Sequence, residues 1–382
     1  MFQSIFVPRT THRIGCATML LLAWVATTAL ADDIDDLRRA TAWVEQLGHD
    51  QFADRERASA ALILLGPAAK SALEAGRRSS NREIRYRSTK ILRLITEIDF
   101  QRRLDEFSED PDPERDYDLP GWKRFRDLVG ATSATRSLFV LMQENERALM
   151  AATQREDHGM AVLASRCGEL RRQMQFGGTD VALGSVVAFL FVATDARINI
   201  TPGIRSTLYA ACASSSFQAG IESGAKREPL AALTEAWIGR DDMQPVLYAL
   251  NLGLMYDLKG CLPKARAGLK QPATPSDAIY ACLCVAKFGD AADLPLVERY
   301  LENINICGQA QVNGRIIVTQ VRDLALATAV TLSDQKYADY GFSRLQKRRR
   351  EVFDLSSLGF PDESSRQQAI SKWRAFRKQK TK

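Results

Sequence analysis

Apolar positions recur at helical spacing along most of this chain. The clearest stretch is S-D-A-I-Y-A-C-L-C-V-A-K-F-G-D-A-A-D-L-P-L-V-E-R-Y-L-E, residues 276–302. There Ala278, Ala281, Cys282, Val285 and Ala286 share one helix face. Ser276 is placed to cap this helix and Gly289 to end it in a left-handed turn. Leu294, Val297 and Leu301 form the stripe of a second, shorter helix. Neither helix can bury its own stripe, so each predicts a neighbour.

Neighbours recur at fixed offsets. L-P-K-A-R-A-G-L at 262–269 superposes on L-P-L-V-E-R-Y-L at 294–301 with a shift of 32, which also lays Ala249 on Ala281, Leu250 on Cys282 and Leu252 on Cys284. A third copy opens at Q-V-R-D-L-A-L-A, 320–327, with Ala325 lying 44 beyond Ala281 and the extra length assigned to a loop around Gly308 to Gly314. Nearer the amino end, D-R-E-R-A-S-A-A-L-I-L-L-G runs from Asp54 to Gly66, and N-R-E-I-R-Y-R-S-T-K-I-L opens at Asn81. A shift of 28 lays Arg57 on Arg85, Ala60 on Ser88 and Leu64 on Leu92. Repeated helical hairpins predict an all-α fold, an α-solenoid or superhelix in which each hairpin buries its face on the next.

Composition changes divide this pattern. Residues 105–118 hold eight acidic residues against Arg115, with Pro111 and Pro113, and read as a solvated linker over 104–118. The prolines and the lack of a glycine do not fit an EF-hand calcium loop. Leu119-Pro120-Gly121-Trp122 opens a second helical region, and Gly184 to Val192 is apolar enough to be a buried helix. The expected organisation is hairpins over 32–103, a repeat domain over 119–343 and a basic carboxyl-terminal tail over 344–382.

The amino terminus is of another kind. Arg9 and Arg13 precede an uncharged apolar run from Ile14 to Leu30, then Ala29-Leu30-Ala31 and the acids Asp32 and Asp33. This reads as a signal peptide over 1–31, cleaved after Ala31, and predicts an extracytoplasmic protein, periplasmic or secreted, with no transmembrane anchor after cleavage. The rival reading is an uncleaved anchor. Six cysteines follow: Cys167, Cys212, Cys261, Cys282, Cys284 and Cys307. An exporting compartment permits disulfides, yet six in so long a chain are no disulfide framework, and buried free thiols are expected. Cys261 and Cys307, placed near loops, are the more accessible.

Candidate chemistry is sparse. Cys282 and Cys284, two apart on a helix, point away from each other and cannot easily share an ion. After residue 31 only His49 and His158 remain, which removes most zinc and most Ser-His or Cys-His chemistry. Phosphate-loop, dinucleotide, nucleophile-elbow and zinc-protease motifs are missing from the sequence. Asp241-Asp242 and Asp290/Asp293 are candidate acid–base carboxylates. Lys347, Arg348, Arg349 and Arg350, with Lys372, Arg374, Arg377 and Lys378, are candidate anion-binding residues.

The Arg–small–Leu spacing of the amino-terminal hairpins resembles the HEAT repeat. With L-P-G-W-K-R-F-R-D-L-V-G at 119–130, Q-V-R-D-L-A-L-A and Y-G-F at 340–342, the chain is similar to exported HEAT-repeat proteins of planctomycete-type bacteria. That resemblance implies a fold and a location but no activity. It also implies that Arg57, Arg85 and Arg322 stitch repeats together. The functional expectation is a non-enzymatic scaffold, without cofactor, that binds a protein or peptide partner in the envelope; no nucleic acid is expected. An envelope polysaccharide hydrolase or lyase using carboxylates, and an anionic-polymer binder using the tail, are the alternatives.

Overall fold

The computed structural model describes residues 34–112, 114–153, 159–176, 181–222, 224–243, 246–348, 350 and 352–380. The signal-peptide reading, His158 and Arg349 lie outside them. The described chain is mostly helical, with two short antiparallel hairpins. It forms two units, ending and beginning at Asp110 and Pro111. Among the described residues, no helix is long and apolar enough to cross a membrane.

The first unit contains α1 (34–46), α2 (Phe52–Leu65), α3 (Lys70–Gly76) and α4 (Arg82–Glu109). One core joins them: Ala40, Val44 and Leu47, then Ala58 and Leu62, Ala72 and Leu73, and Ile91 and Ile95. Asn81 caps α4 by accepting from the backbone N–H of Glu83 at 2.8 Å. The expected linker starts later than residue 104. Helix α4 continues through Glu109 because Gln101–Asp105 and Arg102–Glu106 pairs span successive turns and Leu104 and Phe107 are buried.

The second unit opens with α5 (Trp122–Val129), α6 (Ser133–Ala152), α7 (Gly159–Phe176) and α8 (Leu183–Ala193). Every residue of α8 from Val186 to Ala193 is buried. Gly184 lets α8 meet α6: a Cβ there would lie 2.2 Å from the Leu141 carbonyl oxygen. Inside α6 the backbone leaves helical geometry at Glu146 (φ −136°, ψ 40°). Its buried carboxylate accepts two bonds from Arg166 of α7, at 2.7 and 2.8 Å, and one from Ser185 of α8 at 2.8 Å. Three helices are thus tied at one charged, fully occupied point.

Next come α9 (Pro202–Cys212), α10 (Ser215–Glu222), α11 (Arg227–Ile238), α12 (Leu247–Tyr256), α13 (Leu262–Lys270), α14 (Pro275–Phe288) and α15 (Leu294–Glu298). The 32-residue shift reproduces element ends: the 3₁₀ turns Lys259–Cys261 and Ala291–Asp293 coincide, as do the starts of α13 and α15. Leu250 and Cys282 are both 0 % exposed, as are Leu252 and Cys284. The caps differ from expectation. Thr274, not Ser276, caps α14 through a capping box with Asp277, and Pro275 takes the first helical position. Gly289 is extended (φ −80°) rather than left-handed; a Cβ there would lie 2.6 Å from the Val285 carbonyl oxygen.

The extra length before the third copy is a hairpin, not a loop. Strands β1 (Ile306–Val312) and β2 (Arg315–Gln320) pair antiparallel, with Val312 opposite Arg315. Asn313 (φ 49°) and Gly314 (φ 77°) turn the chain between them, the pair of left-handed residues a two-residue hairpin turn requires. Helix α16 (Val321–Leu332) follows, buried from Val321 to Val330.

The carboxyl-terminal segment is folded rather than a free tail. A short hairpin, β3 (Lys347–Arg348) and β4 (Val352–Phe353), precedes α17 (Glu363–Lys380). Ala369, Ile370 and Trp373 are buried on one face of α17, and Trp373 donates to Glu298 at 2.9 Å. Arg366 is held by Asp323 of α16 at 2.7 Å, a pair that leaves both side chains almost wholly out of solvent.

Candidate functional site

Three helices of the second unit each bury one face and leave a tyrosine half-buried beside it. In α9, Leu208, Ala211 and Cys212 go inward, and Tyr209 stays at the edge. In α12, Ala249, Leu250 and Leu252 go inward and leave Tyr248. In α14, Ala281, Cys282 and Cys284 do so and leave Tyr280. The 32-residue shift carries Tyr248 onto Tyr280, so these two occupy one repeat position. The rings of Tyr209 and Tyr248 stack with centroids 4.8 Å apart and planes 37° apart. Burial pushes the Tyr209 phenol above its ordinary value, and the nearby Tyr280 and Tyr248 add to this.

Among the described residues, the hydroxyls of Tyr209, Tyr248 and Tyr280 have no hydrogen-bond partner. Other half-buried tyrosines are tied down: Tyr337 bonds Thr331 at 2.9 Å. The row therefore combines flat apolar rings with unused donors and acceptors. That chemistry suits an extended ligand carrying both apolar and amide groups, and tyrosine offers it at low conformational cost. The residues were legible in the sequence: the alignment that sets Ala249 on Ala281 sets a tyrosine on a tyrosine one place earlier.

The arginines sort differently from expectation. Arg85 donates to the carbonyls of Ser79 and Ser80, both at 2.7 Å. The residue with that role in the preceding hairpin is Arg55, which donates to the carbonyls of His49 at 2.7 Å and Asp50 at 2.9 Å. Arg57 is exposed and, among the described residues, pairs with Asp54, one turn back in its own helix. The structural repeat is thus 30 residues, not 28. It also carries the bond from Ser59 to the Arg55 carbonyl onto that from Thr89 to the Arg85 carbonyl, each 2.8 Å. Arg322 does join elements: it is buried and reaches Glu363 of α17 at 2.7 Å.

The cations of the carboxyl end are largely engaged within the fold. Arg377 pairs with Glu298 at 2.7 Å and Arg374 with Glu302. Lys372 donates to the Asp339 carbonyl at 2.6 Å, Arg348 pairs with Asp354 at 2.8 Å, and Arg350 with Glu222 at 2.6 Å. Lys347 lies 5.2 Å from the centre of the Tyr337 ring, and Lys378 is exposed. The structure does not gather them into one site.

Three of the four candidate carboxylates have structural partners, and Asp241 is exposed. Asp242 is held by Arg240 at 2.7 Å, and Asp293 is buried against Arg266 at 2.7 Å. Asp290 caps the following 3₁₀ turn. The six cysteines are free thiols, and Cys261, expected to be accessible, is 0 % exposed. Its Sγ fills the space beside Gly253, where a Cβ would lie 2.4 Å away. Burial pushes the Cys282 thiol up to about 12, which keeps it protonated and inert at neutral pH. Among the described residues, no group of three or more His, Cys, Asp or Glu is placed to hold a metal.

No family model matches this sequence, and no curated protein or solved structure is significantly similar to it.

Proposed function

We propose that this chain is an exported helical-repeat scaffold of HEAT type that docks a protein or peptide segment along Tyr209, Tyr248 and Tyr280. The observation carrying the proposal is the row itself: three half-exposed tyrosines with hydroxyls unused among the described residues, Tyr209 and Tyr248 stacked and Tyr248 and Tyr280 at one repeat position. Two features support the repeat reading. The hairpins of the first unit repeat their loop-binding arginine at 30 residues, and those of the second repeat helix and turn boundaries at 32. Stacking repeats of this kind present side chains at regular intervals on one face, which suits an extended partner.

The basic Arg9 and Arg13, the apolar run Ile14–Leu30 and the Ala29-Leu30-Ala31 site support an envelope location for that binding. A non-enzymatic role is supported by the arginine partners of Asp242 and Asp293 and the burial of most of the thiols. Affinity capture from intact envelopes tests it, comparing the natural chain with a Tyr248→Ser/Tyr280→Ser variant. A partner retained by the first and lost by the second supports the reading.

A further inference from the structure

Among the described residues, a poorly neutralised run of cations leads from the end of α3 into α4. From Arg77 to Arg93 the sequence has seven basic residues against Glu83 alone. Three of the seven are used internally: Arg77 pairs with Glu74, Arg85 binds the preceding loop, and Arg87 pairs with Glu83 and Glu56. Arg82, Lys90 and Arg93 are exposed and have no partner among the described residues. With Tyr86, which is 64 % exposed, they line one shallow depression along a single helix side. Arg82 also occupies the first position of α4, where the helix dipole disfavours a cation. Local stability gives no reason for a cation there.

Exposed apolar side chains accompany the charge. The 30-residue repeat sets Leu64 of α2 and Leu94 of α4 at equivalent positions, so both project to the same side of neighbouring helices. Leu64 is 87 % exposed and Leu94 43 %, and Ile98, one turn beyond Leu94, is 51 % exposed. A soluble polyanion accounts for the cations but not for two equivalent leucines held in water. A bilayer with anionic headgroups accounts for both: phosphates meet Arg82, Lys90 and Arg93, while leucine and tyrosine enter the headgroup boundary.

We propose that the α2–α4 face of the first unit is a peripheral docking surface for an anionic lipid bilayer. It is independent of the tyrosine row and stands or falls separately. Co-sedimentation of the full chain with vesicles of phosphatidylcholine, alone or containing one-third phosphatidylglycerol, tests it. The quantity read is the difference between the two compositions, so that any uptake through the apolar run Ile14–Leu30 cancels. Each cation near an anionic surface contributes about 1 kcal/mol, so Arg82→Gln/Lys90→Gln/Arg93→Gln should lose on the order of a hundredfold of the preference for anionic vesicles. Leu64→Ser/Leu94→Ser should lower binding to anionic vesicles several-fold. All five positions are exposed, and unchanged thermal unfolding of both variants checks that the fold persists. A triple variant that keeps the preference overturns the proposal. So does a leucine variant that binds like the natural chain, which would reduce the face to a binder of soluble polyanions.

Discussion

The ring of Tyr209 rests on that of Tyr248 at 4.8 Å, joining α9 to α12 through side chains that are only half-buried. Aromatic pairs of this geometry contribute about 0.5–1.5 kcal/mol beyond their area. Tyr248→Ala should therefore lower unfolding free energy by about 1–2 kcal/mol, measured in denaturant. Tyr280, outside that ring contact, should cost less. A larger loss for Tyr280→Ala would show that its ring is core rather than binding surface.

Gly184→Ala should be among the most damaging single changes. The new methyl would lie 2.2 Å from a backbone carbonyl of α6, which cannot swing aside as a side chain does. Forcing α6 and α8 apart should cost on the order of 3 kcal/mol or more. Chemical denaturation measures it, and a loss below about 1 kcal/mol would contradict the close crossing.

Asp99 couples the first unit to pH. Burial alone would raise its carboxyl, but bonds from Arg102 and Lys70 outweigh this and hold it below the ordinary 3.8. A carboxyl whose folded value is depressed stabilises the fold fully above its unfolded value and progressively less as pH falls through the folded one. Thermal stability should thus fall as pH drops below about 4, and Asp99→Asn should flatten that fall while lowering stability at pH 7. An unchanged acid profile in Asp99→Asn would contradict the assignment.

The thiols make a kinetic prediction. In the native chain Cys307, half-buried at the start of the hairpin, should label first, and Cys282 and Cys284 only on unfolding. Cys282→Ser would leave a hydroxyl in the core and should cost about 1–3 kcal/mol. Rapid labelling of Cys282 and Cys284 without denaturant would contradict their packed positions.

The second unit was legible where helix boundaries carry their own chemistry. The L-P openings at Leu262 and Leu294 each start a helix, so a shift of 32 aligned real structure. The first unit misled because Arg55 and Arg57 both offer an arginine near the start of α2. Which one matches Arg85 depends on the reach to loop carbonyls five and six residues back, which spacing alone does not rank. The β1–β2 hairpin was readable from Asn313-Gly314 between β-branched and polar residues, a turn signal outweighed by the helical repeat around it. In α17 the many cations hide a stripe of Ala369, Ile370 and Trp373, and charge count alone suggested a solvated end. The tyrosine row escaped because the repeat was aligned on its buried alanines, while the proposed docking residue is the half-buried one beside them.

The central claim is that Tyr209, Tyr248 and Tyr280 form the docking face. The direct measurement replaces Tyr280 with a photo-crosslinking phenylalanine analogue and irradiates intact envelopes. The same probe at Lys378, exposed on α17, serves as comparison. The account predicts one discrete protein adduct at position 280, abolished by Tyr248→Ser in a chain that stays folded despite the lost ring contact, and none at 378. Equal crosslinking at both positions, or an adduct at 280 indifferent to Tyr248→Ser, would contradict it.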